Sequence, residues 1–475
     1  MVVRLPITQG TQLRFFFRYL STFSTQPPAN QHFTKQGKSL LTSAEGSFTV
    51  GEVISKSKAH HPGRPFIDGH IGTFARNPHP SVIEAAQKAL GDMAVYKYSS
   101  PTAPIEARAA VAVMMERFFP GSDISADHVS LITGGAKMAL NQFALFKVAP
   151  GSAILTFSPF YGPYNVVAKL AHSTLFPVSL LTNTADQLLE KTIEFTKLPG
   201  KKAAIVNLSP NNPTGLGVSV ANQLFIYRLL AEAGVTILSD TAYLGSDSSQ
   251  YSAVSPFQLF KDSRYPIYQT ASFSKGYFGL AGLRIGPLIS HPNEAIPHGG
   301  DQVNILTSCP PLLMMKMIEA ACSEKALDDA KPYMQAVAKR TFEFHKGLQL
   351  IPDLVTLPLT SDSPFCFINV ARISEEYGIS TQGISNYLMF GNMSQAGIGN
   401  LPFNDGNVSG YLRISTGALA TDDLVRTALK ALSDLLGDGQ AIQRYLSSHP
   451  EYQLDPAQSR IDLAALDKMI ATHFG

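Results

Sequence analysis

Cysteine is scarce. The chain has Cys309, Cys322 and Cys366, each far from the others. So sparse a set builds neither a disulfide framework nor a zinc site, and a reducing compartment is the simplest reading. Charge is scarce too: charged residues make up 16% of the 475, and the net charge is +2. That balance gives no electrostatic footprint for nucleic acid or polyphosphate, while 45% hydrophobic residues exclude a disordered chain. No apolar run approaches the roughly 18 residues that span a bilayer, so no membrane partner is expected. His60, His61, His70 and His79 lack metal-ligand spacing with any Cys or carboxylate pair, so no metal site is expected. A Walker loop, a Ser-His-Asp signature and a dinucleotide fingerprint are all missing. Asn207, Asn392 and Asn407 head glycosylation sequons, but no secretory signal accompanies them, and they read as chance matches.

Acidic residues are missing from the first 44 positions, which carry Arg4, Arg14, Arg18, Lys35 and Lys38 among Ser, Thr, Gln and aromatics. This is the composition of an organellar transit peptide, and Arg18-Tyr-Leu before Ser21-Thr22 resembles a matrix-peptidase site. The other reading is a disordered basic tail. The expected location is therefore the cytoplasm or the mitochondrial matrix.

Between about Val129 and Ile289, short apolar runs alternate with longer helix-like stretches. The runs begin at Val129, Ala153, Leu175, Ala203, Val235, Tyr268 and Ile285. They lack polar alternation, as strands buried on both faces do. Strands spaced by helices make βαβ units and a mostly parallel sheet. Pro177 cannot donate in a ladder, which puts the third run at an edge or outside the sheet. The predicted fold is α/β: a large domain with a mostly parallel mixed sheet flanked by helices, plus a smaller α/β domain built from both chain ends. The expected division is an N-terminal extension over 1–45, small-domain parts over 46–80 and 336–436, a large cofactor-binding domain over 81–335, and a helical extension over 437–475. No internal repeat or low-complexity segment is found.

Ligands gather at the carboxyl ends of such strands. Polar motifs follow the runs there: Gly134-Gly-Ala-Lys137, Ser158-Pro-Phe-Tyr161, Asn211-Asn-Pro-Thr-Gly215, Asp240-Thr-Ala-Tyr243 and Ser272-Phe-Ser-Lys275. Lys275, just past a buried strand, would be partly desolvated, which lowers an amine's pKa and makes it a nucleophile for carbonyls. Ser272 and Arg284 flank it and suit a phosphate group. Gly135, Ala136 and Lys137 open a helix, where small residues let backbone N–H groups approach a phosphate. Taken alone, each has a plain reading: a surface lysine, a helix cap at Asp240, a turn at Asn212, a core aromatic at Tyr161.

Together, in this order, the motifs resemble the class I/II aminotransferases, which are fold-type I pyridoxal-phosphate enzymes. The resemblance runs from about Ile67 to Leu436. It implies pyridoxal 5′-phosphate held by Lys275 as a Schiff base, with the freed lysine as general acid and base. It implies Asp240 on the pyridine nitrogen, Tyr243 and Asn212 on the phenolic oxygen, and Tyr161 stacked on the ring. Arg413, in Tyr411-Leu-Arg-Ile-Ser415, matches the arginine that clamps the substrate α-carboxylate, and Gly72 matches a backbone contact to substrate. Tyr98 matches a tyrosine that bonds the phosphate of a neighbouring subunit, implying a homodimer with shared sites. Lys137 either neutralises the phosphate or meets a distal substrate carboxylate, with Arg76 as a competitor. The chain departs from the family at four places: Thr73–Asn77 replace an acidic pair, Thr241 a glutamate and Ala103 a glycine, and Arg284 stands nine positions after Lys275 rather than eight. The implied function is an aminotransferase exchanging an amino group between an amino acid and a 2-oxo acid. A lyase, decarboxylase or cyclising enzyme of the same fold, or a non-catalytic cofactor-binding regulator, is the alternative.

Overall fold

The computed structural model describes residues 66–455 apart from 246–250, 262–263, 295–298, 361, 391–396, 399–400 and 404–408, with a few isolated residues on either side. The basic N-terminal extension, His60, His61, Asn392, Asn407 and most of the expected helical extension beyond residue 455 lie outside the described residues.

Seven strands form the larger sheet: β1 (Val129–Thr133), β2 (Ala153–Ser158), β3 (Thr174–Ser179), β4 (Lys202–Val206), β5 (Thr236–Asp240), β6 (Ile267–Thr270) and β7 (Ile285–Ile289), in the order β1-β7-β6-β5-β4-β2-β3. Strands β3, β2, β4, β5 and β6 are mutually parallel, and β7 runs antiparallel to both β6 and β1. Pro177 lies in edge strand β3, where its missing N–H can face away from the ladder. The absence of polar alternation has a direct cause. Leu131, Leu155, Phe157 and Ile237 pack into one core, while their neighbours Ile132, Ile154 and Leu238 pack into another on the opposite face. Both faces are covered by helices, as right-handed crossovers require.

Helix α1 (Ala136–Phe146) follows β1, α2 (Tyr164–Leu170) follows β2, α3 (Ala185–Thr196) follows β3 and α4 (Val220–Glu232) follows β4. Thr184 and Gln187 close a capping box at α3, and Ser219 caps α4. Helix α5 (Glu324–Leu348) then joins the two cores. Its Leu327 packs with the larger sheet, and Phe344 and Leu348 pack with the smaller one.

The smaller sheet contains β8 (Val355–Thr356), β9 (Phe365–Asn369), β10 (Leu401–Phe403) and β11 (Tyr411–Ser415), antiparallel in the order β10-β11-β9-β8. Helix α6 (Asp422–Gly437) lays Val425, Ala428, Leu432 and Leu435 over it, with Thr421 as cap and two aspartates in its first turn. Phe66–Ile67 pairs in parallel with Gly397–Ile398 in a separate two-stranded sheet, and Ile67 packs into the smaller core. No helix among the described residues is long and apolar enough to cross a membrane.

Candidate active site

The carboxyl ends of the parallel strands and the start of antiparallel β7 lie along one edge of the larger sheet. A cavity of about 180 Å³ opens there, lined by Ala136, Lys137, Tyr161, Asn212, Asp240, Tyr243, Ser272, Lys275 and Arg284 among others. Residues 148 positions apart in the chain, Ala136 and Arg284, are thus brought to one hollow by the winding of the sheet.

Lys275 follows β6, in the turn after Thr270. Its Nζ donates to the Gly72 carbonyl at 2.6 Å and stands 4.9 Å from the Tyr243 ring centroid. The Tyr243 hydroxyl donates to the same carbonyl at 3.2 Å. Gly72 must be glycine for this approach, because a Cβ would stand 2.2 Å from that hydroxyl.

Asp240 is the last residue of β5 and is buried. Tyr164 donates to its Oδ2 at 2.8 Å, the Ala242 N–H to Oδ1 at 3.1 Å, and Asn207 Nδ2 to its backbone carbonyl at 2.9 Å. Burial raises the carboxyl pKa, while Tyr164, the Ala242 N–H and the Lys275 ammonium pull it down. A buried carboxylate at the floor of a cavity, whose neutral donors do not fully offset its burial, suits a cationic ring nitrogen.

Asn212 and Arg413 join the two sheets. Arg413, from β11, donates through Nη1 to Asn212 Oδ1 at 2.7 Å and through Nη2 to the His70 carbonyl at 2.6 Å. Its guanidinium lies over Phe365, 4.8 Å from the ring centroid. Because Asn212 Oδ1 accepts from Arg413, its Nδ2 is the end that can donate. The Asn212 N–H in turn donates to Asn207 Oδ1 at 2.8 Å.

The residues expected at a phosphate lie around the start of α1. Gly135 caps α1 with φ 72° and ψ −167°, a conformation open mainly to glycine. Arg284 lines the same cavity as Ala136 and Lys137 of α1, and its Nη2 donates to the Gly134 carbonyl at 2.9 Å. A single 3₁₀ turn, Ala281–Leu283, precedes Arg284, which itself adopts the left-handed conformation with φ 55°. Thr241, in place of glutamate, sends its hydroxyl to the Thr270 carbonyl at 2.8 Å and braces β5 to β6.

Tyr161 stands edge-on to Tyr164, with centroids 5.9 Å apart, and burial pushes its phenol pKa up to about 12. Lys137 is exposed at the cavity mouth. Tyr98 is not brought to this cavity: it is 90% exposed. Arg76 is turned away from the cavity as well, onto backbone carbonyls. Two residues of the site carried no sequence signal. Tyr164 looks like any core aromatic, and Asn207 stood out only as a chance sequon, yet together they hold Asp240 in place.

The chain matches the family model for aminotransferase class I and II over residues 69–432. It belongs to that family. Its curated relatives include a probable N-succinyldiaminopimelate aminotransferase of Mycobacterium tuberculosis, 28% identical over 211 residues, covering 44% of this chain and 51% of that protein. An aspartate aminotransferase of Thermotoga maritima is 30% identical over 269 residues, 56% of this chain and 67% of that one. The chain thus spans about half the length of the first relative. The solved aspartate aminotransferase of Thermus thermophilus with maleate superposes with a TM-score of 0.68 at 20% identity, covering 82% of this chain and 96% of that chain, which shows a shared fold. Class I and II aminotransferases depend on pyridoxal 5′-phosphate, and this family member has residues that fit each part of it. The α1 N-terminus, Ser272 and Arg284 suit the phosphate, buried Asp240 the ring nitrogen, Tyr161 the ring face, and Lys275 the aldehyde.

Proposed function

We propose that this chain is a pyridoxal-phosphate-dependent aminotransferase that moves an amino group between an amino acid and a 2-oxo acid. One observation carries the reading. Lys275, Asp240 and Asn212 line one cavity, and Asn212 is tied directly to Arg413 at 2.7 Å. A nucleophilic amine and a buried carboxylate in one hollow, with a guanidinium one hydrogen bond behind its wall, are the parts that amino-acid chemistry at Cα needs.

The residues divide the work as follows. Lys275 anchors the cofactor through its amine. Arg413 takes the substrate α-carboxylate in bidentate fashion and thereby orients Cα. Asp240 would hold the ring nitrogen as a cation, and Asn212 and Tyr243 would hold the phenolic oxygen. When bound, the pyridoxal ring supplies a sink for the electron pair left at Cα. Lys275, once displaced from its anchoring role, carries the proton to and from Cα as general base and acid. The Gly72 carbonyl, 2.6 Å from Nζ, gives the free amine a resting partner. Lys137 at the cavity mouth is the cation available to a distal carboxylate.

We further propose a homodimer in which Tyr98 completes the neighbouring site. A tyrosine that is 90% exposed, near exposed Met93 and Tyr96, is supporting evidence.

The central test is Lys275→Ala. The variant should still bind the cofactor, through Asp240, Asn212 and the phosphate cradle, but without the absorbance of the lysine-bound form. Transamination should fall by several orders of magnitude, as anchor and proton carrier are lost together. Near-normal turnover would sink the reading.

A further inference from the structure

The irregular segment that supplies Gly72 continues as a strap through Asn77, and this strap carries the substitution of the family's acidic pair. It lies along the loop that bears Lys275. The Ala75 N–H donates to the Gly417 carbonyl at 2.8 Å. Glycines make the approach possible on both sides: a Cβ at Gly279 would stand 2.8 Å from the Arg76 carbonyl, and one at Gly417 2.2 Å from that of Thr73.

Within this strap, Arg76 makes contacts that the reaction as derived above does not use. Its Nη1 donates to the Tyr277 carbonyl and lies 3.5 Å from the Gly276 carbonyl. Its guanidinium lies 5.6 Å from the Tyr333 ring centroid on α5. Gly276 and Tyr277 are the two residues directly after Lys275. A guanidinium stays charged at any working pH, so its bonds to peptide carbonyls are charge-assisted. The strap therefore grips the lysine twice: Gly72 accepts from the amine, and Arg76 holds the backbone just behind it.

We propose that Arg76 is a positioning residue for Lys275, stapling the 72–77 strap to the two peptide groups behind the lysine and so setting where the amine stands over the substrate. This rests on the reading of Lys275 as the proton carrier. It also gives Arg76 a role other than binding a distal substrate carboxylate, with its Nη1 set on backbone outside the cavity lining.

The test uses the holoenzyme with Arg76→Ala and Arg76→Lys, and alanine, aspartate and phenylalanine as donors. Single-turnover rates should fall about ten- to a hundredfold in Arg76→Ala, the range expected for losing charge-assisted bonds. The loss should be alike for all three donors, with their binding little changed. Deuterium at the donor Cα should slow the variant more than the native enzyme, because proton transfer becomes the slow step. Arg76→Lys keeps the charge without the fork and should lose less. Millimolar guanidinium should restore part of the Arg76→Ala rate, and equimolar urea should not. Amide hydrogen exchange over 72–77 and 276–280 should quicken in Arg76→Ala, a readout independent of turnover. A loss confined to aspartate would overturn the proposal and make Arg76 a specificity residue. Unchanged isotope effect and exchange would overturn it as well. Lys275→Ala keeps the two claims apart: if that variant turned over normally, the proton-carrier reading would fall, whatever Arg76 does to amide exchange.

Discussion

Asp240 shows how much of this site is set by partners one residue removed from the chemistry. Burial alone would favour its neutral form, and a neutral acid cannot hold a pyridinium. Tyr164, fully buried and with its own pKa raised well above the ordinary tyrosine value, stays protonated and can act as donor to Oδ2. The sign of its removal follows. In Tyr164→Phe, the Asp240 carboxyl loses a donor that favours its charged form, so its pKa rises further. The pH above which the cofactor binds tightly should then move upward. Cofactor affinity near the acid limb should drop about ten- to a hundredfold, in line with roughly 1.5–3 kcal/mol for a hydrogen bond to a charged group. The check is a titration of cofactor affinity against pH for both proteins, and superimposable curves would dismiss the role.

At the scale of elements, the decisive contact is between antiparallel β7 and the start of α1. A Cβ on Gly286 would stand 2.6 Å from the Ala136 nitrogen. Strand and helix terminus are therefore in backbone contact, beside the cavity that Ala136 and Lys137 line. Gly286→Ala must push that terminus aside. Overpacking of this kind destabilises by about 1–3 kcal/mol, and because the helix end moves, cofactor affinity should fall with it. Melting of the protein with and without cofactor checks this. A drop in stability with an unchanged gain from cofactor would mean that the strand does not set the cradle. Pro177 makes a complementary point: it is tolerated because β3 has a neighbour on one side only.

At the scale of the whole molecule, the site draws on both sheets, since Arg413 comes from β11 and Asp240 from β5. Any relative movement of the sheets changes the distance between carboxylate clamp and reacting groups. The proposed dimer extends this logic to a second chain through Tyr98. Lys275→Ala and Tyr98→Ala, each impaired alone, should complement on mixing. In a mixed dimer both lesions fall on one site and leave the other intact, so random exchange of equal amounts should restore about a quarter of native sites. No recovery, despite exchange shown by mass, would put Tyr98 outside the neighbouring site.

Much of this was legible in the chain alone, for a physical reason. A strand buried on both faces leaves an unbroken apolar run, and a loop at its carboxyl end leaves polar residues immediately after it. The order of Gly135, Tyr161, Asn212, Asp240 and Lys275 is therefore a one-dimensional trace of a single sheet edge. What the chain could not carry was anything that depends on which strands become neighbours. The antiparallel entry of β7 brings Arg284 to the same edge as the parallel strand ends. The burial of Tyr164 and Asn207 around Asp240, the meeting of Asn212 with Arg413 across 201 positions, and the turn of Arg76 away from the cavity were settled only by packing. Local sequence encodes period and turn chemistry. It does not encode pairings between distant segments, which arise when cores on both sides of the sheet close and leave each polar group to find its partner.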